Sequence, residues 1–148
     1  MSLSIDTQIE AMSALWPAFK LVRREGPAAL WQGTVRPLLQ TYWVSVFYRA
    51  PLMVERYSVR VVQPQVEILR PALRPRRGDA EGMLPHVYYG PDGEVTLCML
   101  DPDSNEWSPS DLLAETTVPW ITDWLVAYEG WRATGEWTGT GRHRSEEH

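Results

Sequence analysis

An α+β domain with helices packed on an antiparallel sheet is the fold class this sequence predicts, and three observations predict it. Apolar residues near the N-terminus recur by threes and fours. The middle of the chain holds extended stretches rich in β-branched and aromatic residues, joined by short connections. Toward the C-terminus a tryptophan-rich stripe returns to helical spacing. The resulting order is helix, three-stranded meander, irregular loop carrying the single cysteine, helix.

The first helix is expected from Ile5, Ile9, Met12, Trp16, Phe19 and Val22, with Thr7 and Glu10 at the spacing of a capping box. Pro17 lies inside this pattern, so the helix should kink or restart there, and Arg24-Glu25-Gly26-Pro27-Ala28 should end it. Three strand-like stretches follow, at 29–39, 41–49 and 55–69. The second is rich in β-branched and aromatic residues, and the third alternates Tyr57, Val59 and Val61 with Arg56, Ser58 and Arg60. Short connections make an antiparallel meander the natural pairing. Pro71, Pro75 and Pro85 mark 70–85 as a surface loop, and Gly90-Pro91-Asp92-Gly93 is a turn leading into the extended run that carries Cys98. A short helix is expected after Ser108 as cap, with Pro109 first and Asp111 supplying a capping-box acid. Trp120, Ile121, Trp124, Leu125, Tyr128 and Trp131 form the stripe of the last helix, begun near Pro119 and ended by Gly135. Residues 1–138 are expected to be one domain and 139–148 a flexible tail.

At 148 residues the chain can bury roughly two thirds of its unfolded surface, so a core needs no covalent staples. One cysteine cannot form an internal disulfide, the first residues lack the basic and apolar segments of a signal peptide, and no long apolar run occurs; a cytoplasmic protein off the membrane is expected. A net charge of −5 argues against a broad nucleic-acid surface, and the basic clusters Arg23-Arg24 and Arg74, Arg76, Arg77 read as solvated faces. Of eight tryptophans, five fall between Trp107 and Trp137, a density that reads as core packing.

Cys98 raises the functional question. Flanked by Leu97 and Met99, it reads as an apolar core thiol, yet it follows a turn and precedes a polar stretch, which suggests an exposed strand end. A thiol is a strong nucleophile only when partly ionised and reachable. His86 stands apart from His143 and His148 at the C-terminal end, and its imidazole could act as base, oxyanion donor or loop support. One cysteine and one non-terminal histidine do not make a metal-ligand set, and neither a phosphate-binding loop nor a dinucleotide fingerprint is present, so no metal or cofactor is expected.

The stretch Leu84-Pro85-His86-Val87-Tyr88, Gly93 and Leu97-Cys98 resembles the active-site region of ubiquitin-conjugating enzymes, in which a His-Pro-Asn tripeptide, a tyrosine-containing turn with glycine and the catalytic cysteine occur in that order. It is most similar to bacterial relatives from CBASS anti-phage operons. Their His-containing approach, Leu-Cys pair, Glu-Trp pair and Pro-Trp helix with its Thr-Gly-Glu-Trp ending match Pro85-His86, Leu97-Cys98, Glu106-Trp107, Pro119-Trp120, Trp124-Leu125 and Thr134 to Trp137. The resemblance implies a UBC-like fold of N-terminal helix, antiparallel β-meander, active-site loop and C-terminal helix. It also implies an acyl transferase in which Cys98 holds a protein C-terminus as a thioester and passes it to an amine. The implied cargo is a cGAS-like nucleotidyltransferase, activated by a separate enzyme or arriving already reactive. His86 stands where the eukaryotic ubiquitin-conjugating enzymes carry asparagine, so its role stays open among the three above. Asp101 and Asp103 could orient the attacking amine, although Asp-Pro is also common turn chemistry. Trp107 could wall the cysteine loop against water or simply pack. Two other readings exist: a UBC-fold module that binds a protein tail without covalent chemistry, and an unrelated α+β interaction domain with Cys98 in its core.

Overall fold

A computed structural model describes residues 2–51, 63–76, 83–99 and 107–138 of the chain. Helix α1 (Ile5–Leu15) leads into a four-stranded antiparallel sheet of β1 (Lys20–Glu25), β2 (Ala28–Val35), β3 (Tyr42–Arg49) and β4 (Gln65–Arg70), paired in that order. A separate two-stranded ribbon, β5 (Val87–Tyr89) and β6 (Val95–Leu97), lies beside β4, and α2 (Thr117–Thr134) closes the described fold. This is the expected α+β arrangement, with one more strand in the sheet than the three expected, and with β5 added to the expected run at β6.

The extra strand is β1. Apolar spacing carries the helical pattern through Phe19 and Val22, but α1 stops at Leu15. Pro17 offers no N–H and disfavours a helical conformation for the residue before it, and Trp16 accordingly takes φ −132°, ψ 67°. The chain neither kinks nor restarts there; it turns, buries Phe19 and runs on as β1. Every residue of β1 is exposed, so no alternation marks it as a strand, and a bulge between Leu21 and Arg23 breaks its register. Gly26-Pro27 closes the hairpin, with Gly26 at φ 55°. Where the start of this hairpin crosses β2, only glycine fits: a Cβ on Gly33 would stand 2.7 Å from the Phe19 ring and 2.8 Å from the Ala18 carbonyl oxygen. The N-cap of α1 is Ser4, whose Oγ accepts from the Thr7 N–H at 3.1 Å, rather than Thr7 itself.

β3 forms where β-branched and aromatic residues predict a strand. Tyr42, Val44, Val46 and Tyr48 are buried while Trp43, Phe47 and Arg49 are exposed. These residues join Ala29 and Trp31 of β2 and Val66 of β4 in one core with Ile5 and Met12 of α1 and Val118, Ile121, Trp124, Leu125, Tyr128 and Trp131 of α2. Of the expected third strand, the part at 55–62 lies outside the described residues and the remainder is β4. Helix α2 starts two residues before Pro119 and ends where expected, at Gly135, which takes φ 87° and donates its N–H to the Trp131 carbonyl. The Tyr42 hydroxyl donates to Glu129 at 2.7 Å, tying β3 to α2; burial and then the Glu129 carboxylate hold that phenol well above its ordinary pKa.

The expected short helix after Ser108 is instead a series of turns. Its capping chemistry is present, since the Ser108 N–H donates to Asp111 Oδ2 and the Asp111 N–H donates to the Ser108 carbonyl, both at 2.9 Å. What fixes this segment is long-range. Gln8, fully buried on α1, donates Nε2–H to the Asp111 carbonyl and accepts the Leu113 N–H at Oε1, each at 2.9 Å. The Trp16 indole N–H donates to the Ala114 carbonyl at 2.7 Å. Among the described residues no helix is long and apolar enough to cross a membrane. The proposed tail at 139–148 lies outside the described residues.

Candidate active site

The candidate site is built on the β5/β6 ribbon. A five-residue connection joins the strands, closed by the Gly90 N–H donating to the Glu94 carbonyl at 2.8 Å, with Gly93 at φ 85°. The register sets Tyr88 opposite Thr96 and Val87 opposite Leu97. One rung further on, the Cys98 N–H donates to the His86 carbonyl at 2.9 Å, so His86 and Cys98 face each other across the ribbon's end.

Because side chains alternate along a strand, this register decides the exposure of the thiol. Leu97 and Met99 turn into the core, 4% and 6% exposed, and Cys98 between them turns to the other side and is half-buried. The apolar neighbours that make Cys98 look like a core thiol in the sequence are what direct it away from the core. Tyr88 shares its face, at the diagonal position where long side chains reach each other. The Cys98 thiol donates to the Tyr88 hydroxyl oxygen at 3.3 Å.

His86 enters through its backbone and its ring face. It is the single non-glycine residue with positive φ among the described residues, at 54°. In that conformation its carbonyl accepts both the Cys98 N–H and the Trp124 indole N–H, the latter at 3.0 Å. Its ring lies on Trp137 with centroids 4.8 Å apart. Trp137 in turn packs edge-on to Trp124 at 5.1 Å, and Trp124 stacks on Tyr128 at 5.6 Å. Trp107, Trp124 and Trp131 are core, Trp120 and Trp137 pack half-buried against it, and Trp124 and Trp137 also brace the ribbon end that carries the thiol.

Trp107 lies in the core, 1% exposed, edge-on to Tyr48 at 5.7 Å, with its indole N–H donating to Thr116 Oγ1 at 3.2 Å. Asp101 and Asp103 lie outside the described residues. Sequence reasoning passed over Tyr88 as a site residue: counting out from a Gly90–Gly93 turn pairs 88 with 95, and only the five-residue connection closed by Gly90 and Glu94 pairs 88 with 96 and puts 98 on its diagonal.

The arrangement offers a half-buried cysteine, held at a ribbon end by a main-chain hydrogen bond and touched by a phenol, and a thiol so placed can act as a nucleophile when ionised. A comparison with curated proteins finds no match. A family model described as Type II CBASS E2 protein matches residues 8–144. With nearly the whole chain covered and the α+β order of that fold in place, the chain belongs to the Type II CBASS E2 family, the ubiquitin-conjugating-enzyme-like proteins of bacterial anti-phage systems.

Proposed function

We propose that Cys98 accepts the C-terminal acyl group of a protein as a thioester and transfers it to an amine. The observation that carries this reading is the outward turn of Cys98 between core-facing Leu97 and Met99, with the Tyr88 hydroxyl at its sulfur. The thiolate attacks an activated acyl carbon, the bond to the leaving group breaks and a thioester forms. An amine nitrogen then attacks the same carbon, the carbon–sulfur bond breaks and sulfur recovers its electron pair. Because a thioester lies uphill from a free carboxylate, the donor must arrive activated, by a separate adenylating enzyme or as an already reactive species. Family membership favours a protein of the same operon as cargo, and a cGAS-like nucleotidyltransferase is the specific candidate. Asp101 and Asp103 are candidate orienting groups for the amine.

Mass spectrometry of the chain purified together with its operon neighbours tests this. The expected adduct sits on Cys98, is cleaved by hydroxylamine and vanishes in Cys98→Ala, while Cys98→Ser gives a more resistant ester. Full biological activity of Cys98→Ala with no adduct on the native chain would instead support a module that binds a protein tail non-covalently.

For His86 the geometry favours loop support over general-base action, because its carbonyl bridges Cys98 and Trp124 and its left-handed backbone makes that bridge reachable. Asparagine and glycine take this conformation readily, whereas a β-branched residue pays about 1–3 kcal/mol for it. His86→Asn and His86→Gly should therefore keep acyl transfer within about threefold of native, while His86→Val should lower it by tenfold or more. Single-turnover transfer rates give the comparison. Equal, large losses in all three variants would return the imidazole to the chemistry.

A further inference from the structure

We infer that the Tyr88 hydroxyl is a catalytic group of this site: it stabilises the Cys98 thiolate, both as the nucleophile and as the leaving group. The inference rests on the acyl-transfer reading above, but the hydrogen bond it invokes can be tested without any acyl donor.

The ribbon's register makes the contact. Tyr88 and Cys98 are diagonal neighbours on one face, and the Cys98 N–H bonded to the His86 carbonyl holds the sulfur within 3.3 Å of the phenol oxygen. With the thiol neutral, its S–H donates to that oxygen. Once the thiol has lost its proton, the phenol is the one donor of the pair. The hydroxyl then turns and donates to the anionic sulfur. A hydrogen bond to a charged acceptor is roughly twice as strong as one between neutral groups, so this reversal favours the thiolate over the thiol. When an amine attacks the thioester, the carbon–sulfur bond breaks, sulfur leaves with the electron pair and Tyr88 donates to it again; the amine's excess proton goes to solvent. The same bond thus assists attack by sulfur and its departure.

Alkylation of the full chain by iodoacetamide, followed from neutral to alkaline pH, reads the thiolate directly. Tyr88→Phe keeps the ring and removes the donor. Its apparent Cys98 pKa should rise by about half a unit to one unit, with a three- to tenfold slower reaction near neutrality. The plateau rate at high pH should increase, because a more basic thiolate is a better nucleophile. His86 is the titratable residue opposite Cys98 on the ribbon, and the same profile in His86→Asn separates the imidazole from the phenol. Superimposable profiles for native and Tyr88→Phe proteins would overturn the assignment. Shifted profiles in a protein that never carries an acyl adduct would leave the hydrogen bond standing and reject acyl transfer.

Discussion

Replacing Gln8 by leucine should lower the free energy of unfolding by about 3 kcal/mol, a large fraction of the 5–15 kcal/mol typical of a domain. Leucine fills nearly the same volume, so the loss comes from polar groups left behind. The Leu113 N–H and the Asp111 carbonyl now face Gln8 in the interior, and each loses its partner with no apolar group replacing it. An orphaned buried donor or acceptor costs roughly 1–3 kcal/mol. Gln8→Glu is the sharper variant: a carboxylate can still accept from Leu113 but cannot donate to Asp111, and it must be buried charged or take up a proton. Its stability should therefore fall below that of native protein and recover partly as pH drops through the carboxylate range. Urea denaturation with an unchanged slope is the measurement. A loss under about 0.5 kcal/mol for Gln8→Leu would mean that water or a shifted backbone satisfies both groups.

Truncating Trp107 to alanine should cost about 3–5 kcal/mol, because the ring is buried and the cavity it leaves cannot collapse fully. The edge-on contact with Tyr48 and the bond to Thr116 disappear with it. Trp107→Phe retains an aromatic edge and loses mainly the indole N–H, so its cost should be nearer 1–2 kcal/mol. This pair also separates packing from protection of a thioester. If Trp107 only packs, Trp107→Phe should hydrolyse the Cys98 adduct at the native rate once both proteins are folded. Hydrolysis several times faster in a fully folded Trp107→Phe would give the ring a water-excluding part.

Legibility of the fold tracked the strength of local pattern. β3 was readable because it is rich in β-branched and aromatic residues, and α2 because its apolar residues keep helical spacing up to a glycine stop. β1 was unreadable for the opposite reason: an exposed edge strand has no buried face to impose a period, and Phe19 and Val22 fell by accident on the helical repeat of α1. The turns at 107–116 copied a helix start because their capping bonds are local, whereas Gln8 and Trp16, a hundred or so positions earlier in the chain, are what hold them. At the site, the cysteine and its family resemblance were evident in the residues, but Leu97 and Met99 pointed to the wrong exposure until the strand's alternation was fixed.

The sequence alone determined the α+β class, the terminal helices, the central strands and the one sulfur on which acyl chemistry could depend, since each is written in spacing, composition or a unique residue. Tertiary structure decided which way that sulfur faces, that a phenol meets it and that His86 contributes a carbonyl. The reason is physical: pairing register and a left-handed backbone angle bring together groups that are separated in the chain, and neither is encoded in the identity of any one residue.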